Sequence, residues 1–120
     1  MNTKKNSIAD LEGSWPDPDF DSYTVRGCHA FRKIPINDLT VEQMRLLISQ
    51  KIGLRHLAGR ALEMLAENPM AEGDHYAGDL AIAVSGALNE FRNDCPDLYP
   101  KLQAVLEKAR LMGLKMASDA

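Results

Sequence analysis

The chain has little cysteine, no long apolar run and no excess of positive charge. Two cysteines in 120 residues, Cys28 and Cys95, are too few to staple a chain long enough to bury its own core. Neither belongs to a C-x-x-C or other metal-ligand spacing, so both read as reduced thiols of a reducing compartment. No stretch approaches the roughly 18 apolar residues of a membrane-spanning helix, and the opening MNTKKNSIADLEG has two lysines with no apolar segment behind them. The expected location is the cytoplasm, away from membranes. A net charge of -3 and a pI near 5.5 disfavour the broad basic surface on which non-specific nucleic-acid binding relies. A sustained apolar period of two is also missing, which argues against sheet.

What is present is an ordinary globular composition, 45% hydrophobic and 26% charged, in a length that suits one domain. Charge is unevenly placed. Between Asp10 and Asp21 stand five acids (Asp10, Glu12, Asp17, Asp19, Asp21) and no base, leaving the rest of the chain at +2. The same stretch holds Trp15, the single tryptophan, and Phe20. Pro16 and Pro18 fix their own φ and disfavour helix at the residues before them. Residues 1–21 therefore read as an extended acidic arm, and residues 22–120 as a helical domain.

Within that domain the apolar spacing is helical. Ser22 caps a segment carrying Val25, Cys28, His29, Phe31 and Arg32 on one side and ending before Pro35. Thr40 with Gln43 forms a capping box, followed by Val41, Met44, Leu47, Ile48 and Ile52, with Gly53 as the terminating residue. Leu54, Leu57, Ala58, Ala61, Leu62 and Leu65 make a third stripe that stops at Asn68-Pro69. After the loop EGDHYAGD, Asp79 is placed as an N-cap before Leu80, Val84, Ala87, Leu88 and Phe91. A last stripe runs through Tyr99, Leu102, Val105, Leu106, Ala109 and Met112. The expected fold is all-α, a single-domain irregular bundle of about five helices.

Few side chains combine into chemistry. Asp17, Asp19 and Asp21 alternate like the first half of an EF-hand loop, but Ser22 stands where glycine is needed and Cys28 where a bidentate glutamate closes the site. The three histidines, His29, His56 and His75, lie in different segments, none spaced i, i+4 from another. Cys28 and His29 are adjacent and so point about 100° apart on a helix, which does not make a nucleophile and its base. His29 and Arg32 read as interior polar wiring of the fold. The densest polar group is the loop itself, with Glu72, Asp74, His75, Tyr76 and Asp79 around two glycines. Its glycines suit turn dihedrals and its acids suit a cap or a partner contact. No metal, cofactor or catalytic residue is assigned.

The words LEGSW, SYTVRGCHAFRKIP, LTVEQMRLLISQKIGL, ALEMLAENPMAEGD and HYAGDL occur in this order over about residues 11 to 84. In them the chain resembles small bacterial immunity proteins of contact-dependent growth inhibition (CDI) systems. That family's loop looks like EGD, phenylalanine, tyrosine, proline, GDL; here His75 and Ala77 take the first and last of the three middle places. The resemblance implies a non-enzymatic cytoplasmic inhibitor, monomeric when free, that binds and blocks the C-terminal toxin domain delivered by a neighbouring cell, often a nuclease and especially a ribonuclease. An acidic chain suits such a basic partner. The expected toxin contacts are Trp15, Asp17, Asp19 and Asp21 on the arm and Glu72, Asp74, Tyr76 and Asp79 on the loop. Two other functions share these features: a helical adaptor or regulator of a different protein, and a small hydrolase built on EGDHYAGD.

Overall fold

The computed structural model describes residues 6–16 and 22–115, and among these every regular element is helical. The first helix, α1 (Ile8–Glu12), lies inside the segment expected to be extended. Ser7 Oγ accepts from the Asp10 amide at 3.0 Å and Asp10 Oδ2 accepts from the Ser7 amide at 2.9 Å, a complete capping box. Helix is possible here because the prolines restrict only residues 15 to 18, downstream of the box. Ile8 is fully buried, so this segment belongs to the core. Asp17, Asp19 and Asp21, together with Phe20, lie outside the described residues.

Helix α2 (Tyr23–Phe31) starts as expected, with Ser22 Oγ accepting from the Val25 amide at 3.1 Å. Its far end is stitched to the N-terminal segment: the Ala9 amide donates to Arg32 O at 2.8 Å and the Ile36 amide to Asn6 O at 2.9 Å. A 3-10 turn at Ile36–Asp38 then carries the buried Ile36 and leads to the buried Leu39.

Helices α3 (Val41–Ser49) and α4 (Leu54–Glu67) form a hairpin. The capping box at Thr40 is present, Thr40 Oγ1 accepting from Gln43 N at 3.2 Å and Gln43 Oε1 from Thr40 N at 2.9 Å. Gly53 corrects one expectation: α3 ends at Ser49, Ile52 lies in the connection, and Gly53 is the N-cap of α4 at φ +64°. Two constraints meet there, since a side chain would strain the left-handed backbone and a Cβ would come within 2.6 Å of Ile8 Cδ1. Helix α4 stops at Asn68, before Pro69.

The stripe expected to be one helix after the loop is two, α5 (Asp79–Gly86) and α6 (Leu88–Asp94), broken at Ala87 with φ -110° and ψ 12°. With α7 (Tyr99–Leu111) the described residues contain seven α-helices, the two beyond the expected five being α1 and the extra piece made by this break. Helix α3 packs most extensively on α5, and α4 is surrounded by α3, α6 and α7. Their shared core holds Met44, Leu47, Ile48, Leu57, Leu65, Leu80, Val84, Phe91 and Leu102, all with no measurable exposure. Burial of apolar surface on this scale is the main force holding the bundle together. Met112, expected on the last apolar stripe, lies just past α7 and is 59% exposed.

Candidate functional site

The EGDHYAGD loop leaves the end of α4 and returns at the start of α5, and two carboxylates fix its backbone. Asp79 was expected to be an N-cap but is the first residue of α5, the cap position being Gly78 at φ +91°. Its carboxylate turns back into the loop. Oδ1 accepts from Gly73 N at 2.7 Å, and Oδ2 accepts from His75 N at 3.1 Å and Tyr76 N at 3.4 Å. Asp79 is only 3% exposed, so three amides and the positive end of a helix stand in for water around its charge.

The second brace comes from α3. Glu42 Oε1 accepts from Asp74 N at 2.9 Å, while Arg45 donates from Nε to Oε1 at 2.7 Å and from Nη2 to Oε2 at 2.6 Å. The paired guanidinium, helped by the Asp74 amide, holds the Glu42 carboxyl below the usual range and raises Arg45 in turn. Gly73 is required where the braces meet, because a Cβ there would lie 2.5 Å from Glu42 Oε1 and 3.1 Å from the Glu42 Cα. Glu42 and Arg45 did not stand out in sequence: an i, i+3 ion pair is a common surface feature, and nothing local ties it to a loop some thirty residues away.

Bracing inward leaves the rest of the loop facing outward. Glu72, Asp74, His75 and Tyr76 are all exposed, Tyr76 by 50%. Of the loop residues expected at a contact surface, Glu72, Asp74 and Tyr76 are therefore displayed, while Asp79 is buried and shapes the display.

Trp15 sits elsewhere. Its ring covers the Arg32 guanidinium, whose Cζ is 4.1 Å from the ring centroid, and meets His29 edge-on at 5.2 Å. Arg32 is 2% exposed and donates from Nη2 to Gly13 O at 2.9 Å, with Glu12 Oε1 at 3.9 Å. Glu12 Oε2 also reaches His56 Nε2 at 3.0 Å, in the first turn of α4. The interior role read for Arg32 is thus correct, and His29 is half-buried beside it. Trp15 and the loop occupy opposite ends of α4 and do not form one cluster.

Burial pushes the Cys28 thiol up, away from the thiolate that a nucleophile requires. Among the described residues no three His, Cys, Asp or Glu side chains gather in a metal-binding group. No helix of the described residues is long and apolar enough to cross a membrane.

No curated protein and no solved structure matches the chain. A family model does match, over residues 11–102, and its family is described as CDI immunity proteins. That span runs from α1 through both regions above and into α7, taking in the braced loop, its Glu42 support and the Arg32 cluster. The chain therefore belongs to the family of CDI immunity proteins.

Proposed function

We propose that the chain binds the C-terminal toxin domain of its own contact-dependent growth inhibition system in the cytoplasm and neutralises it as a monomeric inhibitor. It does so without catalysis, cofactor, nucleic acid or membrane. The observation that carries this reading is the loop, whose exposed Glu72, Asp74 and Tyr76 stand on a backbone held by Asp79 and Glu42. A surface already ordered before binding avoids much of the entropy cost of association. Tyrosine supplies a large, nearly rigid contact, and carboxylates steer a basic partner toward it.

A nuclease, and a ribonuclease above other kinds, fits the acidic charge, because enzymes that bind polyanions present basic surfaces. Asp17, Asp19 and Asp21 are further acidic contacts of this kind. Trp15 is a second contact. The first turn of α4 and its last residue are separated by about 16 Å at 1.5 Å per residue, and a standard interface of about 800 Å² per partner spans that distance.

The test is co-purification of the chain with the toxin domain encoded beside it, combined with rescue of toxin-arrested cells. The wild type should co-purify and rescue. Tyr76→Ala combined with Asp74→Asn should weaken both while the far-UV circular dichroism stays helical. A wild-type chain that neither retains the toxin domain nor restores growth would reject the reading.

A further inference from the structure

Beside the braced loop, between the first turn of α3 and the last turns of α4, runs an open groove of about 370 Å³. Val41, Met64 and Ala71 are its apolar lining, of which Met64 and Ala71 are buried, and Asn68 stands among them. Glu67 and Glu72 line the same groove, both exposed, and neither pairs with a base among the described residues. Arg60 lines it too, but its Nη1 is directed to Glu63 Oε1 at 3.7 Å. The groove thus combines apolar side chains with two carboxylates and one guanidinium that a third acid, Glu63, already faces, which leaves its lining net negative.

We infer that this groove is the socket for one basic side chain, lysine or arginine, of the toxin domain, and that it sets which toxin is recognised. The inference rests on the proposed toxin-binding role. The chemistry selects the occupant. Two glutamates on one small groove repel an anion and each other, and a cation between them relieves both effects. The apolar lining asks for an aliphatic stem, and lysine and arginine are the side chains that carry such a stem under a charged head. Glu72 also belongs to the loop, so the socket is continuous with the displayed surface. The stem leaves water over Met64 while the head is held on two sides, an arrangement in which a charge pair slows dissociation rather than merely speeding encounter.

The experiment measures association and dissociation of the toxin domain encoded beside the chain, in low and in 0.5 M salt. It compares wild type, Glu67→Gln/Glu72→Gln, Glu67→Lys/Glu72→Lys, and a charge-matched control, Asp94→Asn/Asp97→Asn, at the opposite end of α4. The Gln pair should dissociate about tenfold faster or more at both salts, as loss of a close charge pair requires, while the control matches wild type in high salt, where general attraction is screened. The Lys pair should fail to bind until a single Lys→Glu or Arg→Glu change in the toxin restores it. Equal dissociation of the Gln pair and the control would overturn the socket and leave the proposed function standing. So would tighter binding by the Lys pair, which would mean an acidic occupant, or a wild-type dimer that the Gln pair abolishes, which would mean a second copy. Failure of wild type itself to bind would instead reject the function.

Discussion

The two ends of the α3–α4 hairpin solve the same problem with opposite charges. At one end a buried acid, Asp79, faces the loop and accepts three backbone amides. At the other a buried base, Arg32, faces the N-terminal segment, donates to one carbonyl, and lies under an indole ring. In each case irregular backbone is held by a charge at the end of a helix and shielded from water, where hydrogen bonds to charged groups are strongest. The acid end is the more completely satisfied. Arg32 Nε is buried with no acceptor, and Trp15 above it remains 41% exposed. The loop is thus fixed by several directed bonds to two carboxylates, while Trp15 itself is held by ring contacts with Arg32 and His29 beside the single Arg32 bond to Gly13 O, and should open more readily.

Substitutions can break this contrast in order of size. Asp79→Ala strands three amides and should cost about 3 kcal/mol, since charged hydrogen bonds contribute about 1.5–3 kcal/mol each and the loop relaxes toward water. Asp79→Asn, which keeps an acceptor, should lose visibly less. Urea midpoints of the two variants check this, and equal midpoints would show that charge is irrelevant to the loop.

Arg32→Ala should cost roughly 2 kcal/mol through the lost carbonyl partner and the void under the indole. It should also shift Trp15 fluorescence to the red, an uncontaminated signal because no other tryptophan is present. An unchanged emission maximum would mean that the stack is not maintained in solution. Thr40→Ala, at the loop end of α3, should cost roughly 1 kcal/mol by removing one cap oxygen, and thermal unfolding should detect it without any loss of toxin rescue.

The smallest effect concerns acid. Arg45 holds the folded Glu42 carboxyl below its ordinary value, so this pair contributes stability that is complete above the unfolded carboxyl pKa of about 4.3 and is lost as pH falls through the folded value. Glu42→Gln should cost under about 1 kcal/mol at neutral pH, and the difference from wild type should shrink as pH is lowered below about 5. Stability curves that stay parallel across that range would remove the pair as a source of acid sensitivity.

How far the fold could be read from the chain followed the range of the causes. Caps and breakers act over three or four residues, so Ser22, Thr40 with Gln43, and Asn68-Pro69 marked real boundaries. Apolar stripes marked the buried faces of α3 and α4 for the same reason. The Ser7 to Asp10 box was equally local and was obscured by the prolines that follow it. At Ala87 the stripe continues across the break, and the preceding Gly86 was its one local sign. Asp79 looked like a cap because caps and loop braces use the same residue types, and only tertiary placement separates them. The bracing by Glu42, the burial of Arg32 under Trp15 and the groove beside Glu72 join segments far apart in sequence, so no window along the chain contains them. The exposed residues of the loop were legible as a group, but their rigidity was not.

The fit of Ile8 against Gly53 has a consequence for the order of events during synthesis. Residue 8 is made long before the turn that receives it, and the five-residue α1 is too short to persist alone. At about 5–20 residues per second the nascent segment waits for seconds with an isoleucine uncovered. Its docking therefore follows the synthesis of Gly53, and we expect its release to be an early step of opening. Hydrogen exchange at the Ala9 amide, which is bonded to Arg32 O at 2.8 Å, gives a direct clock for both.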